Sequence, residues 1–104
     1  MNTDEILVVL KTDLQISAAQ YDAYLTKIIV LAKAAIKREG IVLDEIKHDT
    51  EEGTESNYSI EDGMLIEMYA AYLYRKRKEK DSGMPRMLRY ELNQRLFGKK
   101  GSGS

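Results

Sequence analysis

The chain has 104 residues, 16 basic and 17 acidic side chains, a formal net charge of −1 and no cysteine. That length suits one domain with a single modest core, and the lack of thiols excludes disulfides and thiolate metal sites while fitting a reducing compartment. The near-neutral total conceals a division: residues 1–74 hold six Lys/Arg against fourteen Asp/Glu, net −8, and residues 75–104 hold ten against three, net +7.

The opening MNTDE lacks the basic start of a signal peptide, and the longest apolar runs fall short of a membrane span, so a soluble protein with no membrane partner is expected. Thr3 is a candidate N-cap, with Asp4 and Glu5 placed where negative charge favours the helix dipole. Ile6, Leu7, Leu10 and Leu14 then trace one helical stripe. Val8 and Val9 would also suit a short strand; Leu14 and the cap decide for helix. Ser17 and Gln20 have the form of a capping box. They precede the clearest periodicity in the chain, Tyr21, Tyr24, Leu25, Ile28, Ala32, Ala35 and Ile36. A second helix over about 18–39 is predicted, closed by Gly40 and packed on the central helix through the shallow surface of Ala32, Ala34 and Ala35.

Residues 41–58 break this pattern. Ile41, Val42, Leu43 and Ile46 can tuck under the domain, but 49–57 is polar and acidic, which predicts an exposed loop or arm. A β-hairpin reaching a neighbouring subunit, with Ile41–Leu43 as one strand, is left open. The central helix is predicted over 60–80, capped by Ser59 with Glu61 and Asp62 in its first turn. Leu65, Met68, Tyr69, Tyr72 and Leu73 form its expected core, with Met64 beside them and Ile66, Ala70 and Tyr74 covering the opposite side. A helix apolar on so many sides needs several neighbours. Asp81-Ser82-Gly83 should end it, and Pro85 should open a last helix to about Leu96 carrying Leu88, Leu92 and Leu96, with Gly98 as its stop. The remainder, 99–104 with its terminal GSGS, reads as a flexible tail or linker. The expected fold is therefore all-α, a single domain over 1–98 of about four helices with a long loop or arm at about 41–58.

Catalysis finds little support, and neither cofactor nor metal is expected. His48 is the one histidine and stands among Asp44, Glu45, Asp49, Glu51 and Glu52, which reads as a solvated loop rather than a site with fixed ligand geometry. No phosphate loop, nucleophile elbow or His-Glu-x-x-His pattern occurs. Tyr21, Tyr24, Tyr69 and Tyr72 fall on helical stripes and read as core or interface. The basic cluster is more informative. Lys76 and Lys78 suit a helix end by themselves, but Arg86 and Arg89 open a helix where the dipole disfavours cations, which points to an anionic partner. With the charge division, this suggests either a phosphate backbone or a basic surface on one copy meeting an acidic surface on the next.

Two N-terminal helices, an acidic loop, an apolar helix ending in MYAAYLYRKRK and a short final helix beginning MPRMLRYELNQRLF resemble the small head-tail connector, or neck adaptor, proteins of long-tailed bacteriophages, siphophage-type, over about residues 3–98. The resemblance implies a helical bundle without catalytic activity whose copies form a ring below the portal, dodecameric on it, extending the DNA channel and offering a docking surface to downstream neck or tail proteins. It places the protein in the virion at the head-tail interface, and in the host cytoplasm during assembly. Arg75, Arg77, Arg86 and Arg89 then become candidates for contacts with portal, subunit or channel, including non-specific contact with DNA in transit. The competing expectation is a small helix-turn-helix-like DNA-binding regulator, with the helix from Pro85 as its recognition helix.

Overall fold

A computed structural model describes residues 1–79 and 83–102. Among them the elements are α1 (Thr3–Leu14), a 3-10 turn (Ala19–Tyr21), α2 (Asp22–Arg38), β1 (Glu45–Thr50), β2 (Gly53–Tyr58), α3 (Ile60–Lys78) and α4 (Arg86–Ser102). The fold is mixed α and β: four helices carry a two-stranded antiparallel hairpin, which corrects the all-α expectation. The hairpin occupies most of the segment expected to be a loop. Its strands begin after Ile41–Leu43, where Ile41 and Leu43 turn into the core and Val42 faces out.

α3 lies at the centre, touching α1, α2, α4 and β2. Ser59 caps it as expected, its Oγ accepting from the Asp62 amide at 3.1 Å. Leu65, Ile66, Tyr69, Ala70 and Ala71 are buried, while Met68, Tyr72 and Leu73 are half-buried at the edge of the core. Met64, Tyr21 and Tyr24 are exposed, so these stripe positions lie outside the core. α1 contributes Ile6 and Leu10, α2 contributes Leu25, Ile28, Ile29, Ala32 and Ile36, and α4 contributes Leu88 and Leu92. α2 packs directly on α3 as expected, with Ala32 buried and Ala35 half-buried, whereas Ala34 is exposed and lies outside the expected alanine surface.

The ends differ from expectation where side chains compete for backbone groups. Asn2, not Thr3, caps α1, in a reciprocal box with Glu5: the Glu5 amide donates to Asn2 Oδ1 at 2.8 Å and the Asn2 amide to Glu5 Oε1 at 3.1 Å. The Ser17–Gln20 box does not form; a 3-10 turn without a side-chain cap leads into α2 instead. Gly40 follows α2 with φ +95°, the left-handed conformation that suits glycine. α3 stops at Lys78; the expected breaker at 81–82 lies outside the described residues. α4 begins just after Pro85, and its backbone stays helical through Gly98 to Ser102, so Gly98 is no stop and the expected tail begins as helix.

The arm pairs Glu45 with Tyr58 through to Thr50 with Gly53, leaving Glu51 and Glu52 as a two-residue tip. Both tip residues keep ordinary negative φ, and Gly53, at φ +133°, takes the conformation other residues resist. The arm's base is tied to the body twice. The Met1 ammonium donates to the Tyr58 carbonyl and the Tyr58 amide to the Met1 carbonyl, the latter at 2.7 Å. Asn2 pairs with Asn57 as an added bridge beside β2.

Candidate interaction surfaces

The four arginines singled out from sequence do not form one patch. At the end of α3, Arg75 Nη2 lies 3.3 Å from Asp13 Oδ1 of α1, and Arg77 Nη1 donates to the Tyr24 hydroxyl at 3.0 Å while its guanidinium stands 5.8 Å from that ring. At the start of α4, Arg89 Nη1 is 3.7 Å from Glu39 Oε2, just past the end of α2, and Arg86 is exposed. Tyr24 and Glu39 stand 15 residues apart, which on a helical rise of 1.5 Å per residue is about 22 Å. Arg77 and Arg89 therefore serve opposite ends of α2.

Lys76 and Lys78 lie over the rings of Tyr72 and Tyr74, at 5.7 and 5.0 Å, a snorkelling arrangement suited to cations at a helix C-terminus. The Tyr74 hydroxyl beside Lys78 raises the ammonium above its usual pKa.

Between α2 and α3 lies a groove of about 400 Å³. Ile28, Leu31, Ala35 and Leu73 make its floor, and Arg38, Lys76 and Arg77 line it with charge. Leu31 is 48% exposed there. Among the described residues no carboxylate pairs with these three cations, whereas Lys11, Arg75, Arg89 and Arg95 each have one. Sequence reading missed this surface because its cations come from two helices. Leu31 and Arg38 do share one side of α2 at i and i+7, which is the signal that could have found it.

The arm is the opposite kind of surface. Residues 44–55 carry Asp44, Glu45, Asp49, Glu51, Glu52 and Glu55 against Lys47 and His48. His48 is cross-strand from Glu55, with Nε2 3.3 Å from Oε2. Among the described residues no group of three His, Asp or Glu side chains is arranged to hold a metal ion. Nor is any described helix long and apolar enough to cross a membrane. At the arm's base the Tyr58 hydroxyl donates to Glu45 Oε1 at 3.0 Å, and burial, with this bond, pushes the phenol up to about 12. Lys33 sits 5.3 Å from the Tyr58 ring, and burial lowers its ammonium while Glu45 partly restores it.

Two buried carboxyls escaped the sequence reading. Asp62 accepts from Arg95 Nη1 at 2.5 Å and from the Asp44 amide at 2.6 Å, tying α4 and the segment before the arm to the start of α3. Glu67 is 3% exposed, and its Oε1 has no hydrogen-bond partner. Burial, then the neighbouring Asp13 carboxyl, push it up to about 8, with Arg75 opposing. A carboxyl this deep beside another acceptor is at rest when it carries the proton itself. Asp62 had read as a first-turn charge and Glu67 had drawn no reading, because a single acidic letter does not say which neighbour covers it. Compared with known protein families, curated proteins and solved structures, the chain matches none.

Proposed function

We propose that this chain is a structural assembly protein of the phage neck, acting by oligomerisation into a ring below the portal and by docking of further neck or tail proteins. The observation that carries the reading is the segregation of charge onto separate elements. A projecting arm is acidic, the end of α3 is basic, and the body between them is a packed helical core. Surfaces of opposite sign on one rigid body favour contact between identical copies and suppress wrong orientations. Exposed Val30, Leu31, Met87 and Tyr90 add apolar area of the kind that contacts bury. The sequence resemblance supplies the biological setting, and the arginines at both ends of α2 are the candidate portal, subunit or channel contacts.

The test is electron microscopy of the purified chain mixed with purified portal rings. Added annular density on the portal is expected. Particles that ignore the portal, together with salt-sensitive, sequence-selective binding to duplex DNA, would instead favour a DNA-binding regulator.

A further inference from the structure

We propose that the acidic arm of one copy docks in the cation-rimmed groove between α2 and α3 of the next. This rests on the assembly reading and names the contact that would make it.

The two surfaces match in sign and in chemistry. The groove offers Arg38, Lys76 and Arg77 around an apolar floor, and none of the three meets a described carboxylate of its own chain. The arm tip offers Glu51 and Glu52, with Asp49 behind them, and none of these is in an ion pair with a described residue. Ile46, 66% exposed on the same arm, supplies an apolar side chain for Leu31 and Leu73. Cations that lack a carboxylate and stand beside exposed leucine are an arrangement that an acidic, partly apolar partner completes.

Size agrees. Along α2 the groove runs from Ile28 to Arg38, about 15 Å at the helical rise. From Ile46 to Glu51 the arm spans about 17 Å at the strand rise.

Geometry decides that the contact is between copies. Lys33, which rests on Tyr58 at the arm's base, is two residues from both Leu31 and Ala35, a turn of about 200° around α2. Arm and groove therefore lie on opposite faces of the same helix. A chain cannot lay its own arm in its own groove, and the contact joins two different patches. Such a heterologous contact, repeated head to tail, generates a ring when the rotation closes.

Charge complementation with sedimentation as the readout tests this. One variant reverses the tip, Glu51→Lys with Glu52→Lys; another reverses the rim, Arg38→Glu with Lys76→Glu. All four side chains are exposed. Each variant alone is expected to associate at least about tenfold more weakly than the native chain, since like charges now face each other. An equal mixture is expected to regain association, because each tip then meets a groove of opposite sign. The chain has no cysteine, so Ile46→Cys combined with Leu31→Cys should give a ladder of disulfide-linked multimers under oxidation. If a reversed variant loses its helical circular dichroism, the milder Glu51→Gln with Glu52→Gln pair carries the test, with weakened association again expected. Association that survives both reversals, or multimers that form without the disulfide ladder, would overturn the arm-to-groove contact and leave assembly standing. A native chain that stays monomeric at every concentration, both alone and with portal rings, would overturn both.

Discussion

Between Gly63 and Ala71 every residue of α3 except Met64 and Met68 is buried, whereas between Ile46 and Thr54 of the arm none is. The two regions are held by different forces. α3 is fixed by apolar area removed from water on several sides, and its helix ends serve only to aim it. The arm has no core of its own. Its strands are held by backbone pairing and by short polar contacts, such as the Thr50 hydroxyl donating to the Gly53 carbonyl at 2.9 Å, and its base is anchored through Tyr58. A two-stranded ribbon of this kind is marginal alone and borrows its stability from the body. Damage to α3 should therefore appear as lost folding, and damage to the arm tip as lost association.

The largest expected effect sharpens the body's side of this contrast. Leu65→Ala should cost about 2–5 kcal/mol in equilibrium denaturation, because Leu65 is 2% exposed and its methyls have no water to turn to. Leu73→Ala, in the half-buried floor of the groove, should cost less. Equal costs would mean that the core extends further along α3 than its burial indicates.

The next effect depends on pH. Glu67 binds its proton more tightly folded than unfolded, with its carboxyl raised from 4.5 to about 8 by burial and then by Asp13. The stabilisation from the protonated form is thus whole below the ordinary carboxyl range and is lost as pH rises toward and through about 8. Chemical denaturation at a series of pH values should show stability falling across that interval, and Glu67→Gln should flatten the fall. A native chain with a flat profile would place Glu67 in contact with water or a cation.

The smallest effect belongs to the arm. Glu51→Lys with Glu52→Lys should move the unfolding free energy by no more than about 0.5 kcal/mol, as surface changes away from special features do. A large loss would show the tip to be part of the body after all.

This same contrast explains how much could be read in advance. The helical body was legible because apolar residues at helical spacing, such as Leu25, Ile28, Ala32 and Ile36, carry both the element and the face it buries. Ser59 was legible as a cap because its chemistry is local. The hairpin was not, since His48, Asp49, Thr54 and Glu55 show no alternation of apolar and polar residues, and their partners lie across the strand rather than nearby in sequence. Asn2 displaced Thr3 as cap by closing a reciprocal pair with Glu5. The candidate surfaces were half legible. The charge division and the basic run at Arg75 were visible, but the groove takes Arg38 from one helix and Lys76 and Arg77 from another, and only packing brings them together. Arg89 read as pointing to an anionic partner from its place at a helix start, and Glu39 of the same chain, beyond the end of α2, lies beside it.

The most direct test of charge-driven association between copies is sedimentation velocity of the native chain over a concentration series, at low and at high salt. Species larger than the monomer are expected, with a population that grows with concentration and shrinks as salt screens the arm and the groove. Monomer alone at every concentration and salt, or association that strengthens with added salt, would contradict it.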